Sequence, residues 1–241
     1  MDNRVRNILL QCAEKYETHD FIGDDPVQFP HRYTDHKDIE ISGLLTAIMS
    51  FGNRKQIVKK ANILHKEMGS SPYRYVMSRE WEDTFKAEDK SSFYRMLSHA
   101  DFNSYFSILY DVYTRHDNLE QALLSQECGT PMDRLCKLMN VSNKSPQKKL
   151  NMFLRWMIRQ NSLVDFGIWK QFKASELIIP MDVHVCNVSY LLGLTSTQTF
   201  SLSNAKRITQ ALNEIFPKDP CKGDFALFGI GVNKDDIVVN L

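Results

Sequence analysis

Apolar residues recur at three- and four-residue spacing through most of this 241-residue chain, and the alternation that marks a half-buried strand is nearly absent. That periodicity implies an all-α fold of roughly ten helices. VRNILLQCAEKY forms the first. The stretch HDFIGDDPVQFPHRYTDHKD is rich in Asp, His and Pro, and is expected to lie outside the core. IEISGLLTAIMSF is apolar on all sides and predicts a buried helix. A break at Gly52-Asn53 separates it from a basic, amphipathic surface helix ending near Met68. SPYRYVM, SSFYRML, DFNSYFSILYDVYTRH and NLEQALL continue as helices, the last capped by Asn118. PMDRLCKLM gives way to the loop VSNKSP, after which QKKLNMFLRWMIRQ is strongly amphipathic. VDFGIWKQF and ELII are connectors, and helices over DVHVCNVSYLLGL, SNAKRITQALNEIF and DFALFGIGV follow. With no repeat, low-complexity tract or linker, the expectation is a single helical domain over residues 1–241, its N- and C-terminal helices packed together.

Composition narrows the function classes. Hydrophobic residues make up 43% and charged residues 24%, as in an ordinary globular domain large enough to bury a core. A formal net charge of +1 announces no nucleic-acid partner, so any surface for one must be local. The five cysteines, Cys12, Cys128, Cys136, Cys186 and Cys221, form no CxxC pair and have no metal-ligand spacing. Their odd number, the charged start MDNRVRNILL and the lack of a long apolar run predict a cytoplasmic protein with reduced thiols and no membrane span; a monomer is expected.

Two segments carry candidate chemistry. In IIPMDVHVCNV, Asp182 follows Pro180 by two residues and opens a helix, where backbone N–H groups and the helix dipole favour its ionised form. A capping role by itself accounts for Asp182, and His184 is expected to be structural. In QKKLNMFLRWMIR, 100° per residue puts Leu150, Phe153, Leu154 and Met157 on one stripe. Lys148, Arg155 and Arg159 fall opposite, as a solvated or phosphate-facing basic strip. Lys149 lies at the stripe's edge, partly desolvated, which favours the neutral, nucleophilic amine; the alternative is a stem that snorkels along the core. A metal-binding reading of Asp24, Asp25, His31, Asp35, His36 and Asp38 matches no metal-motif spacing, so no metal and no cofactor are expected.

In combination these residues resemble the helix-hairpin-helix DNA glycosylases. LIIPMDVHVCNV is similar to the segment with their catalytic aspartate, and GLLTAIMSFGNRKQIVKKA to their buried helix and the turn that lies against the DNA gap. The Leu-Pro-Gly-x-Gly hairpin signature and the iron–sulfur cysteines of some members are missing. The nearer likeness is to the archaeal 8-oxoguanine glycosylase branch, whose hairpin is atypical. Lys149, Phe153, Arg155 and Met157 fit its catalytic-lysine helix, and Lys149 precedes Asp182 by 33 positions. GDFALFGIG resembles the helix whose Asp and aromatic, here Asp224 and Phe228, hold the extruded base. Over its whole length the chain resembles an uncharacterised bacterial family related to this branch, on DDPVQFPHRY, FGNRK, FLRWMIR, VDFGIWK, LIIPMDVH and DFALFGIG.

The resemblance implies two helical subdomains flanking a cleft, and a partner in damaged DNA, duplex or single-stranded. It implies base excision with abasic-site lyase activity on oxidised purines of the 8-oxoguanine kind; a cationic alkylated base is the alternative substrate. Lys149 would attack the sugar and Asp182 would assist it, with Asp224 on the base edge and Phe228 on its face. Asn53 or Arg54 would fill the space left by the flipped base, and Arg54, Lys55, Lys148 and Arg155 would hold phosphates. Trp81, Phe102 and Trp169 are the options for the opposite stacking face. A non-catalytic nucleic-acid binder of the same fold is the competing reading.

Overall fold

The computed structural model describes residues 2–127 and 129–233; Cys128 lies outside them. Helix α1 (Asn3–Tyr16) is followed by α2 (Asp20–Asp24) and two single turns of 3-10 helix, Pro26–Gln28 and Pro30–Arg32. Next come α3 (His36–Met49), α4 (Arg54–Met68), α5 (Pro72–Ser78) and α6 (Trp81–Thr84). A short antiparallel hairpin pairs β1 (Ser92–Tyr94) with β2 (Leu97–Ser98). The remaining helices are α7 (His99–Arg115), α8 (Leu119–Leu124), α9 (Pro131–Leu138), α10 (Lys148–Ile158), α11 (Val183–Leu191), α12 (Leu202–Asn213) and α13 (Lys222–Asn233). The fold is predominantly helical, as the periodicity implies. No helix among the described residues is long and apolar enough to cross a membrane.

The described chain divides into two compact units. The first takes residues 2–23, 130–133 and 142–233, and the second takes 24–127, 129 and 134–141.

The second unit is built on α3, in which every residue from Asp38 to Met49 is buried. Its polar members therefore need internal partners. Tyr113 Oη donates to Glu40 Oε2 at 2.8 Å, and the Leu119 amide that opens α8 donates to the same oxygen at 3.0 Å. His65 on α4 bonds the Ala61 carbonyl through Nδ1 (2.8 Å) and Ser42 Oγ through Nε2 (2.7 Å). A carbonyl only accepts, so Nδ1 carries the proton and Nε2 accepts from Ser42. Burial lowers the His65 pKa to about 4.

Two expectations are corrected here. The proline-punctuated stretch before α3 is part of the core: Val27 and Phe29 are fully buried, and Phe29 lies 4.6 Å from the His65 ring. Its acids cap backbone. Asp25 accepts from Val27 N, Asp35 from Lys37 N and Asp38 N, and Asp38 from Ser71 Oγ and Tyr73 N at the start of α5. Composition alone hid this, because acid-rich and proline-rich turns are also how short helices begin. SSFYRML is the hairpin rather than a helix. Phe and Tyr favour strands, and Arg95 turns the chain at φ 55°. Phe93 packs on Phe85 and Phe102, while Tyr94 Oη donates to the Phe51 carbonyl at 2.6 Å.

In the first unit, α13 packs against both α1 and α11. Glycine makes the approach possible. A Cβ on Gly229 would overlap the Tyr16 ring of α1, and one on Gly231 would lie 2.8 Å from His184 Cβ of α11. Helix α10 is enclosed: every residue from Leu150 to Arg159 is buried. The expected amphipathic helix is thus a central one.

Because the His65 pKa is lower folded than unfolded, the unfolded chain binds the extra proton between about pH 6.5 and 4. The stability tied to neutral His65 is complete above that window and is lost as pH falls through it. His65→Gln, which has no such proton to gain, is expected to close on the wild type by about 3 kcal/mol between pH 7 and pH 4 in urea unfolding. A gap that does not change with pH would refute the buried neutral histidine.

Candidate active site at the α10 N-terminus

Helix α10 begins without a side-chain cap. Gln147 precedes it in the left-handed region (φ 45°), and the first turn holds no acidic residue but two lysines, Lys148 and Lys149. Ammonium groups at the positive end of a helix dipole are disfavoured, and an anion or a neutral amine is favoured there. Lys149 is half-buried, and its pKa is lowered from the ordinary lysine value, first by desolvation and then by the Lys148 charge. Burial and a neighbouring cation thus prevail over any carboxylate.

The opposite face of α10 overturns the expected basic strip. Arg155 and Arg159 are buried. Arg155 pairs with Asp224 on α13, and its Nε reaches Asp165 Oδ1 at 3.3 Å. Arg159 meets Asp165 at 2.5 Å, Glu17 at 3.0 Å and Asp219 through two parallel bonds of 2.8 and 2.9 Å. The Phe225 ring stands 4.4 Å from the Arg155 guanidinium carbon and 5.4 Å from that of Arg159. Arg155 is therefore a core side chain held by carboxylates rather than a surface phosphate contact. The sequence reading missed Glu17, Asp165 and Asp219. The signal was there: two arginines four apart in a helix that is mostly apolar from Leu150 onward demand buried acids.

Lys148 shares this polar face at helical spacing. Burial pushes the Asp224 carboxyl up to about 6 against the pull of Arg155; Asp182 adds to the rise, and the Lys148 charge opposes it. Asp182 is the N-cap of α11, accepting from Val185 N at 2.9 Å, and it stands close enough to Asp224 to repel it. The two lysines of α10 and the carboxylates of α11 and α13 thus belong to one unit, with Lys148, Asp182 and Asp224 electrostatically coupled. Phe228, one turn after Asp224, is half-buried between the edges of Phe21 and His184, each ring at 6.3 Å.

Other expected site residues fall elsewhere. Asn53, Arg54 and Lys55 belong to the second unit, where the Asn53 side chain caps α4 by accepting from Lys55 N and Gln56 N. The three stacking options are core residues. Trp81 stacks on Phe106, Phe102 on Phe85, and Trp169 meets Phe153 edge-on. Among the described residues no group of three or more His, Cys, Asp or Glu side chains could hold a metal.

Fold and site define a predominantly helical protein with an amine–carboxylate cluster at the N-termini of α10, α11 and α13. Residues 25–233 match the model of a family described as "Protein of unknown function (DUF2400)", and the chain belongs to that family. No curated protein and no solved structure matches the chain.

Removing Arg159 would strand Glu17, Asp165 and Asp219 without their shared cation. Arg159→Ala is expected to destabilise the protein by about 3–5 kcal/mol in chemical denaturation. A loss of no more than about 1 kcal/mol, the range of an exposed pair, would contradict the network.

Proposed function

We propose that this protein is a base-excision DNA glycosylase with abasic-site lyase activity, of helix-hairpin-helix type, acting on an oxidised purine of the 8-oxoguanine kind. The observation that carries the reading is Lys149: a half-buried amine with a lowered pKa at an uncapped helix N-terminus, in the same unit as Asp182 and Asp224. Neutral Lys149 attacks the sugar C1′ and the base departs. The nitrogen then forms an iminium with the ring-opened sugar, and loss of the C2′ proton breaks the C3′–O bond. Asp182, fixed by its capping bond to Val185, stabilises the positive charge that develops on the sugar. Asp224 accepts from the base edge and Phe228 packs on its face. The helix dipole and the lysines at the start of α10 favour the adjoining phosphates.

A second assignment within this reading has its own support. The Lys148 charge acts on Asp224, which makes Lys148 the alternative nucleophile. Borohydride trapping on oligonucleotides carrying 8-oxoguanine or an abasic site separates the two. The expected result is a covalent adduct in the wild type and in Lys148→Ala, and none in Lys149→Ala. Loss in Lys148→Ala alone moves the nucleophile one residue back. No adduct and no base release from a folded, DNA-binding protein would leave a non-catalytic binder.

The pH profile gives a further prediction. Asp224 accepts more strongly when ionised, so base release should take an added fall as pH drops through about 6. Asp224→Asn should remove the extra fall near pH 6 and part of the rate, leaving only the slope set by deprotonation of Lys149. A wild-type profile with no break near pH 6 beyond that slope would exclude Asp224 from the reaction.

A further inference from the structure

At the far end of α10 the first unit opens a cleft of about 460 Å³, a size that fits a small ligand. Its charged lining is Arg159, Lys170, Lys173, Lys218 and Lys222, against a single acid, Asp219. The chain as a whole is nearly balanced, with 30 Lys and Arg to 29 Asp and Glu, so this concentration is local. Asp219 is engaged by the two parallel bonds from Arg159. That leaves four ammonium groups, none within 4 Å of a carboxylate among the described residues. Such a concave, one-signed surface repels itself when empty and focuses its field on an anion.

The chain is shaped to bring these groups together. Amides of Phe166, Gly167 and Trp169 bond the last carbonyls of α10, at 2.8 to 3.1 Å, and fold the following loop back over the helix end. Gly167 (φ 55°) allows this, since a Cβ there would lie 2.5 Å from the Arg159 carbonyl oxygen. Lys170 then donates to the Gly167 carbonyl at 2.5 Å and is held at the rim. On the other wall, Lys218 occupies the left-handed region at φ 71°, where glycine is the less strained residue.

We propose that this cleft is a phosphate-binding site for a ligand carrying at least two phosphate groups. It is separate from the amine cluster: none of Lys148, Lys149, Asp182 or Asp224 lines it, and the helix between them spans about 16 Å. Four ammonium groups around one cavity suit the several negative charges of a diphosphate, or those of successive phosphodiesters along a strand. Both sources present the same chemistry, and the site does not rest on the base-excision reading.

The test is calorimetric titration of inorganic pyrophosphate into the full chain, with single-stranded oligothymidylate as competitor. Lys173→Gln/Lys218→Gln changes two exposed residues, and Lys206→Gln/Arg207→Gln on α12 removes the same charge elsewhere. Pyrophosphate affinity should fall about tenfold or more in the first variant and hold in the second, with equal urea midpoints. Each single Lys→Gln variant should show a smaller fall in the same direction. Competition by the oligonucleotide, with a salt slope lowered by about 1.4 in the cleft variant, identifies the source as a nucleic-acid strand. Pyrophosphate binding without competition identifies a free phosphorylated ligand. Absence of pyrophosphate binding, or binding equal in both double variants, overturns the proposal.

Discussion

Arg155 and Arg159 lie one turn apart on a helix with no solvated side between Leu150 and Arg159, and the first unit is arranged around satisfying them. Their four carboxylate partners come from separate places in the chain: Glu17 just after α1, Asp165 in the loop after α10, Asp219 before α13 and Asp224 on it. Burying two guanidinium groups is costly unless geometry and hydrogen bonds are nearly complete. The parallel bonds to Asp219 and the bridging Asp165, which meets both arginines, supply that completeness. Such a network adds little net stability over an apolar core, yet it tolerates few alternative arrangements. Here it fixes where α13 and the turn before it lie along α10.

That constraint determines what stands at each end of the helix. Toward the N-terminus, the arginine face continues into Lys148, and Asp224 comes within reach of both Lys148 and Asp182. Lys149, on the adjoining face, loses water. Toward the C-terminus, Arg159 anchors the turn that carries Lys218 and leads into Lys222 at the start of α13, while the folded-back loop brings Lys170 and Lys173. One buried helix therefore organises an amine–carboxylate cluster at one end and a cationic cleft at the other.

Much of this was legible in the sequence wherever a local rule held. The helix class, the buried α3, the break before α4, and the Asn118 and Asp182 caps follow from periodicity and capping chemistry, which need only neighbouring residues. The failures share a cause. Arg155 and Arg159 were assigned to solvent because charge on one side of an apolar stripe usually means a wet face. Their acids come from distant parts of the chain, Glu17 pairing with Arg159 from just after α1, and no helical wheel sees them. The same holds for Phe29, whose burial depends on α3 and α4, and for Trp81, Phe102 and Trp169, which are core rather than stacking faces. The family match over residues 25–233 takes in α3 to α13, and with them both ends of α10.

Nucleophilic chemistry at the start of α10 requires that the fold desolvate one amine there. Reductive ¹³C-methylation of the lysines, with the Lys149 signal assigned by Lys149→Arg, allows that amine to be titrated directly by NMR in the folded chain. A midpoint below that of methylated lysine in an unfolded peptide is the predicted result. A midpoint at or above it would mean that carboxylates govern Lys149 and keep it protonated, which contradicts its role as the nucleophile.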